Sequence, residues 1–150
     1  MNVSEMVKAI RSLKPEISVE YFKDEQVLDK RAVGCGVYII ELSYKASSKP
    51  PTPLYIGESV YMMKRGGEHL FEFFKNPAYL GLLSDDIKDS NLVIHFRVLE
   101  ECDYSELKKK EIETIKKLNP ILQNQKSDKM LKKEEKTKNV SEVIREYKNI

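Results

Sequence analysis

Cysteine is nearly absent. Cys35 and Cys102 are the two in 150 residues, too few for a disulfide framework or a zinc cluster, so a reducing, intracellular, cytoplasmic setting is expected (nucleoid-associated if bacterial). A surplus of one charge is missing too. Lys and Arg total 26 against 24 Asp and Glu, a formal net charge of +2, which excludes a histone-like polycation that binds nucleic acid by bulk charge. Apolar runs are short, Val37 to Ile40 being typical, so no membrane span and no membrane partner are expected. Glu5 and Lys8 interrupt any leader-like core, and secretion is not expected. There are no internal repeats. What remains, 41% hydrophobic and 33% charged residues, suits one compact domain with terminal appendages.

The balanced total hides an asymmetry. Residues 126–150 hold eight basic and five acidic side chains, whereas the first 125 hold 18 and 19. The lysine-rich segment reads either as a solvated, partly frayed helix or as an arm that contacts phosphates. Three parts follow: residues 1–32 as an N-terminal helical extension, 33–125 as the main domain, and 126–150 as a helical C-terminal tail.

Within this frame, Ser4 caps an amphipathic helix through Met6, Val7, Ile10 and Leu13 that Pro15 stops, and residues 16–32 read as connection with a helical turn. Val33 to Leu42 and Leu54 to Ile56 read as two strands joined by a Ser/Lys/Pro loop, an antiparallel hairpin. Ser59 then caps a helix carrying Met62, Met63, Arg65, His69 and Phe71, Phe73 and Phe74, with the phenylalanines expected to fill the core. Asn76-Pro77 ends it, and Ala78 to Lys88 reads as a shorter apolar helix. Leu92 to Leu99 alternates, with Leu92, Ile94, Phe96 and Val98 on one face and His95 and Arg97 on the other. Asp103 or Ser105 caps a charged helix over 106–118 that buries Leu107, Ile112 and Ile115, and Asn119-Pro120 ends it. The expected fold is α+β, a small three-stranded antiparallel sheet flanked by helices.

The polar residues with meaningful spacing form one series. Gly36-Val37-Tyr38 sits on the first hairpin strand and Tyr55-Ile56-Gly57 on the second, so pairing brings both phenols towards one place. Arg65 and His69 are four apart on one helical face. Glu111 comes from the later helix, and Asn124 follows Pro120. Singly, each has an ordinary explanation: tyrosines favour strands, glycines mark strand ends, and the later helix is full of Glu and Lys.

In this order and spacing the series resembles the GIY-YIG nuclease family, over about residues 33–125. The resemblance implies a divalent-metal-dependent DNA endonuclease that leaves 5′-phosphate and 3′-hydroxyl ends. It implies Mg²⁺ or Mn²⁺ on Glu111, a phosphate contact from Arg65, and a general base at Tyr38 or Tyr55. His69 would position that tyrosine, the water or a phosphate, Asn124 would brace the site, and Gly36 and Gly57 would be structural. The chemistry is coherent. One carboxylate anchors Mg²⁺, which keeps several waters and takes substrate phosphate as a ligand. A guanidinium fork matches phosphate geometry, and a phenol becomes a base at neutral pH only when its surroundings lower its pKa.

Three departures stand out. Sixteen residues separate Tyr38 from Tyr55, longer than the family's hairpin. Glu58 stands where some relatives carry lysine and is expected to face solvent, and Asn124 lies one position further from Pro120 than the resemblance calls for. With no recognisable DNA-binding module, recognition of DNA falls to the loop, residues 1–32, the tail, a homodimer or a protein partner. The alternative readings are a catalytically silent nucleic-acid-binding module of the same fold and an interaction protein using its aromatic helix.

Overall fold

The structure, a computed structural model, describes residues 5, 8, 9, 15–20, 22, 23, 27–125 and 127–149. The expected N-terminal helix lies outside the described residues apart from Glu5, Lys8 and Ala9, which are helical.

The chain is α+β. Its main sheet is built on the expected hairpin: β4 (Gly36–Tyr44) pairs antiparallel with β5 (Thr52–Ser59), and β6 (Leu92–Glu101) lies antiparallel on the other side of β4. The three-stranded antiparallel expectation is corrected by a fourth strand. β1 (Glu16–Val19) runs parallel to β6 and gives the sheet order β1-β6-β4-β5, a mixed sheet. The stretch read as connection therefore contributes to the core, with Ile17 and Val19 buried. Its apolar alternation covers only two side chains, too short to stand out beside the ten-residue β6. Two short strands, β2 (Phe22–Lys23) and β3 (Val27–Leu28), form a separate ribbon.

The sheet is covered on both faces. Helix α1 (Met62–Lys75) packs on the face carrying Tyr38, Ile40, Tyr55, Ile94 and Phe96. Helix α2 (Leu107–Leu118) covers the other, where Val37, Ile39 and Ile56 meet Ile115. Strand alternation divides the two sets. On α1 the buried stripe is Met62, Gly66, His69 and Phe73. Phe71 and Phe74 are 63% and 54% exposed, so one of the three phenylalanines fills the core and the others point outward, as 100° per residue from His69 requires. Ser59 ends β5 and accepts from the Tyr61 N–H rather than capping the helix.

The second apolar helix is also corrected. Residues 77–88 form two 3₁₀ turns, Pro77–Leu80 and Asp86–Lys88, separated by Gly81 at φ 77°. A side chain at Gly81 would collide with Val140 and the Lys136 carbonyl, at 2.5 and 2.7 Å, because helix α3 (Lys133–Lys148) packs there. The lysine-rich segment is therefore part of the body: Val140, Ile144 and Tyr147 are buried in the main core. The Tyr147 hydroxyl donates to the Leu42 carbonyl at 2.9 Å and lies 2.6 Å from Thr52 Oγ1, while its ring stacks on Tyr44. On β6, His95 bonds Ser43 and Arg97 pairs with Glu41, cross-strand contacts on the face opposite Phe96.

Tyr147→Phe keeps the stacked ring and removes the hydroxyl that ties α3 to the hairpin. It should lower stability in urea unfolding by about 1–2 kcal/mol, whereas a frayed tail would show no change.

Candidate functional site

The register between β4 and β5 sets the site. Tyr38 lies opposite Gly57, and Ile40 lies opposite Tyr55, so both phenols project from the α1 face, with ring centroids 6.3 Å apart. Gly57 has to be glycine: a Cβ there would lie 2.3 Å from Tyr38 Oη. The phenol crosses the space that a side chain would fill. Gly36 plays a similar part between strands, since a Cβ would stand 2.2 Å from the Glu100 carbonyl oxygen.

α1 brings His69 against these rings. Tyr38 Oη is 2.7 Å from His69 Nε2, and Tyr79 Oη is 2.7 Å from His69 Nδ1. His69 is fully buried. Burial, and secondarily the Arg65 guanidinium, lowers its pKa to about 3, so the imidazole is neutral at physiological pH. A neutral ring donates through one nitrogen and accepts through the other. The three groups therefore form one directed chain, and reversing one bond reverses both. Lys136 of α3 donates to the Tyr79 carbonyl at 2.8 Å and lies over its ring, which fixes the far end. Burial raises the Tyr55 phenol well above its ordinary pKa, with Asp128 and Glu111 adding to the shift and Arg65 opposing it. Arg65 itself is half-buried and paired with Glu68 at 2.8 Å.

Glu111 arrives from the opposite face, on α2 one turn before Ile115, and is 1% exposed. Its Oε1 lies 3.5 Å from Lys108 Nζ, and its buried Oε2 has no hydrogen-bond partner among the described residues. Burial, then repulsion from Asp128, raises its pKa to about 7, against the opposing attraction of Lys108. An orphaned, desolvated carboxylate oxygen is the donor a hard divalent cation would satisfy. Glu58 is not turned to solvent as expected: its side chain is 21% exposed and reaches Lys108 at 3.5 Å.

Of the sequence-predicted residues, Tyr38, Tyr55, Arg65 and His69 form one cluster, and Glu111, on the α2 face, is linked to it by the effect of its charge on Tyr55. Asn124 does not join them. It is exposed, and its Oδ1 accepts from the Ser127 N–H. Its neighbour Gln123 makes the brace: buried, it accepts from the Ile56 N–H at 2.6 Å and donates to the Ile56 carbonyl at 3.0 Å. The Leu122 N–H bonds the Leu54 carbonyl beside it, so this segment covers the open edge of β5. Sequence reasoning also missed Tyr79, Lys108, Asp128 and Lys136. Asn76-Pro77 offered a signal for Tyr79, because the Asn76 side chain accepts from the Ala78 N–H and starts the turn that presents it.

No family model, curated protein or solved structure matches this chain.

Glu111→Gln should stabilise the metal-free protein by about 1–3 kcal/mol at pH 8. The folded pKa of about 7 lies above the ordinary 4.5, so the ionised form is penalised in the fold. That penalty is complete above pH 7 and disappears as pH falls to 4.5. Urea unfolding in EDTA at pH 8 and pH 4.5 checks this, and an equal effect at both would contradict it.

Proposed function

We propose that this protein is a divalent-metal-dependent DNA endonuclease of the GIY-YIG type, hydrolysing phosphodiester bonds to 5′-phosphate and 3′-hydroxyl ends. The observations that carry the reading are a histidine-held tyrosine and a buried carboxylate, Glu111, whose second oxygen lacks a partner among the described residues and whose charge is felt at Tyr55. Mg²⁺ or Mn²⁺ held by Glu111 would neutralise charge developing on the phosphate and on the leaving 3′ oxygen.

The chain's own groups take the remaining roles. Tyr38 Oη accepts the proton of the attacking water. The hydrogen bond to His69 favours Tyr38 over Tyr55, because donation from Nε2–H to the phenol oxygen stabilises its ionised form, with Tyr79 donating to Nδ1 in that tautomer. Arg65 exchanges Glu68 for phosphate oxygens, a contact its planar fork makes better than an ammonium. Gln123 holds the β5 backbone beside Gly57, the bracing role assigned to Asn124 from sequence.

A second reading, a nucleic-acid-binding module of the same fold that does not cut, draws on one observation. Tyr38 and Tyr55 are 1% and 4% exposed, so hydrolysis requires the rim around them to open to water.

Supercoiled plasmid incubated with Mg²⁺ separates the two. The expected result is nicked or linear DNA whose ends re-ligate without treatment, and loss of cutting in EDTA. Glu111→Gln and Tyr38→Phe should each slow it at least about 100-fold, and Tyr55→Phe less. DNA binding without cutting under any divalent ion would establish the silent module instead.

A further inference from the structure

Three carboxylates from separate parts of the chain converge beside Glu111. Glu58 is the penultimate residue of β5, Glu111 lies in α2, and Asp128 stands in the loop before α3; one oxygen from each lies within 4.8 Å of the others. Lys108 sits among them, its Nζ 3.5 Å from Glu58 Oε1, 3.5 Å from Glu111 Oε1 and 3.8 Å from Asp128 Oδ2. None of these is a short charge-assisted hydrogen bond, which would measure about 2.8 Å. The Lys108 side chain is 67% exposed, so Coulomb attraction rather than packing keeps it there. An ammonium held in that way moves at little cost.

Among the described residues the arrangement leaves a charge that one lysine does not balance: three acids face one base. It also leaves Glu111 Oε2 buried and without a partner among the described residues, a defect the ammonium does not repair. A small divalent ion would repair both, since it carries twice the charge and can bind several carboxylate oxygens while retaining waters for exchange with phosphate.

We propose that Glu58, Glu111 and Asp128 together form one divalent-cation site, and that Lys108 is a resident counter-ion whose ammonium the incoming metal displaces. The inference rests on the metal-dependent reading above and extends it from one carboxylate to three. It brings Asp128, from the segment first set apart as a tail, into the centre, and it gives Glu58 a purpose in place of the phosphate-contacting lysine.

Binding of Mn²⁺ to the full chain, followed by the EPR signal of the free ion, tests it in variants that retain the wild-type circular dichroism spectrum. Wild type should bind one Mn²⁺. Glu58→Gln and Asp128→Asn should each weaken binding at least about tenfold, the lower end of the loss seen even for outer groups of metal sites. Lys108→Gln should tighten it several-fold, because no ammonium has to leave. Unchanged affinity in Lys108→Gln would overturn the displacement. Wild-type affinity in Glu58→Gln and Asp128→Asn, with binding lost in Glu111→Gln, would overturn the three-carboxylate site and leave the nuclease reading standing. Absence of binding by wild type, or wild-type binding by Glu111→Gln, would remove both.

Discussion

A slip of β5 by one residue against β4 would send Tyr55 to the α2 face, bring Ile56 to face His69 and move Gly57 from its place opposite Tyr38. The register that prevents this is the constraint on which the candidate site depends. It is held by the two faces it separates, since Ile40 and Val37 each have a buried apolar environment of their own. It is also held from the side. Gln123 engages both backbone groups of Ile56, and Tyr147 ties the Leu42 carbonyl to Thr52 at the far end of the hairpin. With that register fixed, Gly57 falls opposite Tyr38, and the missing side chain becomes the passage through which a phenol reaches His69.

The candidate site is divided between the two faces of the sheet. On one face a hydrogen-bonded chain runs from Tyr38 through His69 to Tyr79, ending at Lys136 of α3. On the other, Glu111 is buried on α2 and keeps company with Glu58, Asp128 and Lys108. The electrostatics of the two groups differ in sign and purpose. Burial keeps His69 uncharged, which preserves a donor and an acceptor on a single ring. Burial also makes ionised Glu111 costly, and the fold tolerates that cost where a cation would remove it.

Much of this was legible in the residues. The glycine–tyrosine pairs, the Arg65–His69 spacing and Glu111 lie in long regular elements whose patterns are strong, and β4, β5, α1, β6 and α2 formed where the patterns indicated. What escaped notice depends on contacts between distant segments. β1 has only two buried apolar side chains and is stabilised by pairing with a strand more than seventy residues away. Residues 77–88 are apolar enough for a helix but are bent by Gly81 so that α3 can pack there. The charged α3 resembles a solvated helix because its buried stripe is narrow, and Lys136 within that stripe hides its methylenes while reaching a carbonyl. Asn124 and Gln123 are adjacent, and only the path of the chain along β5 decides which amide faces inward.

Anomalous diffraction from crystals grown with Mn²⁺ tests most directly whether Glu111 Oε2 is a metal-ligand atom. One peak is predicted about 2.1–2.3 Å from that oxygen, with the Lys108 ammonium withdrawn from its present place. A map without a peak at Glu111, at Mn²⁺ concentrations that support cutting, would contradict it.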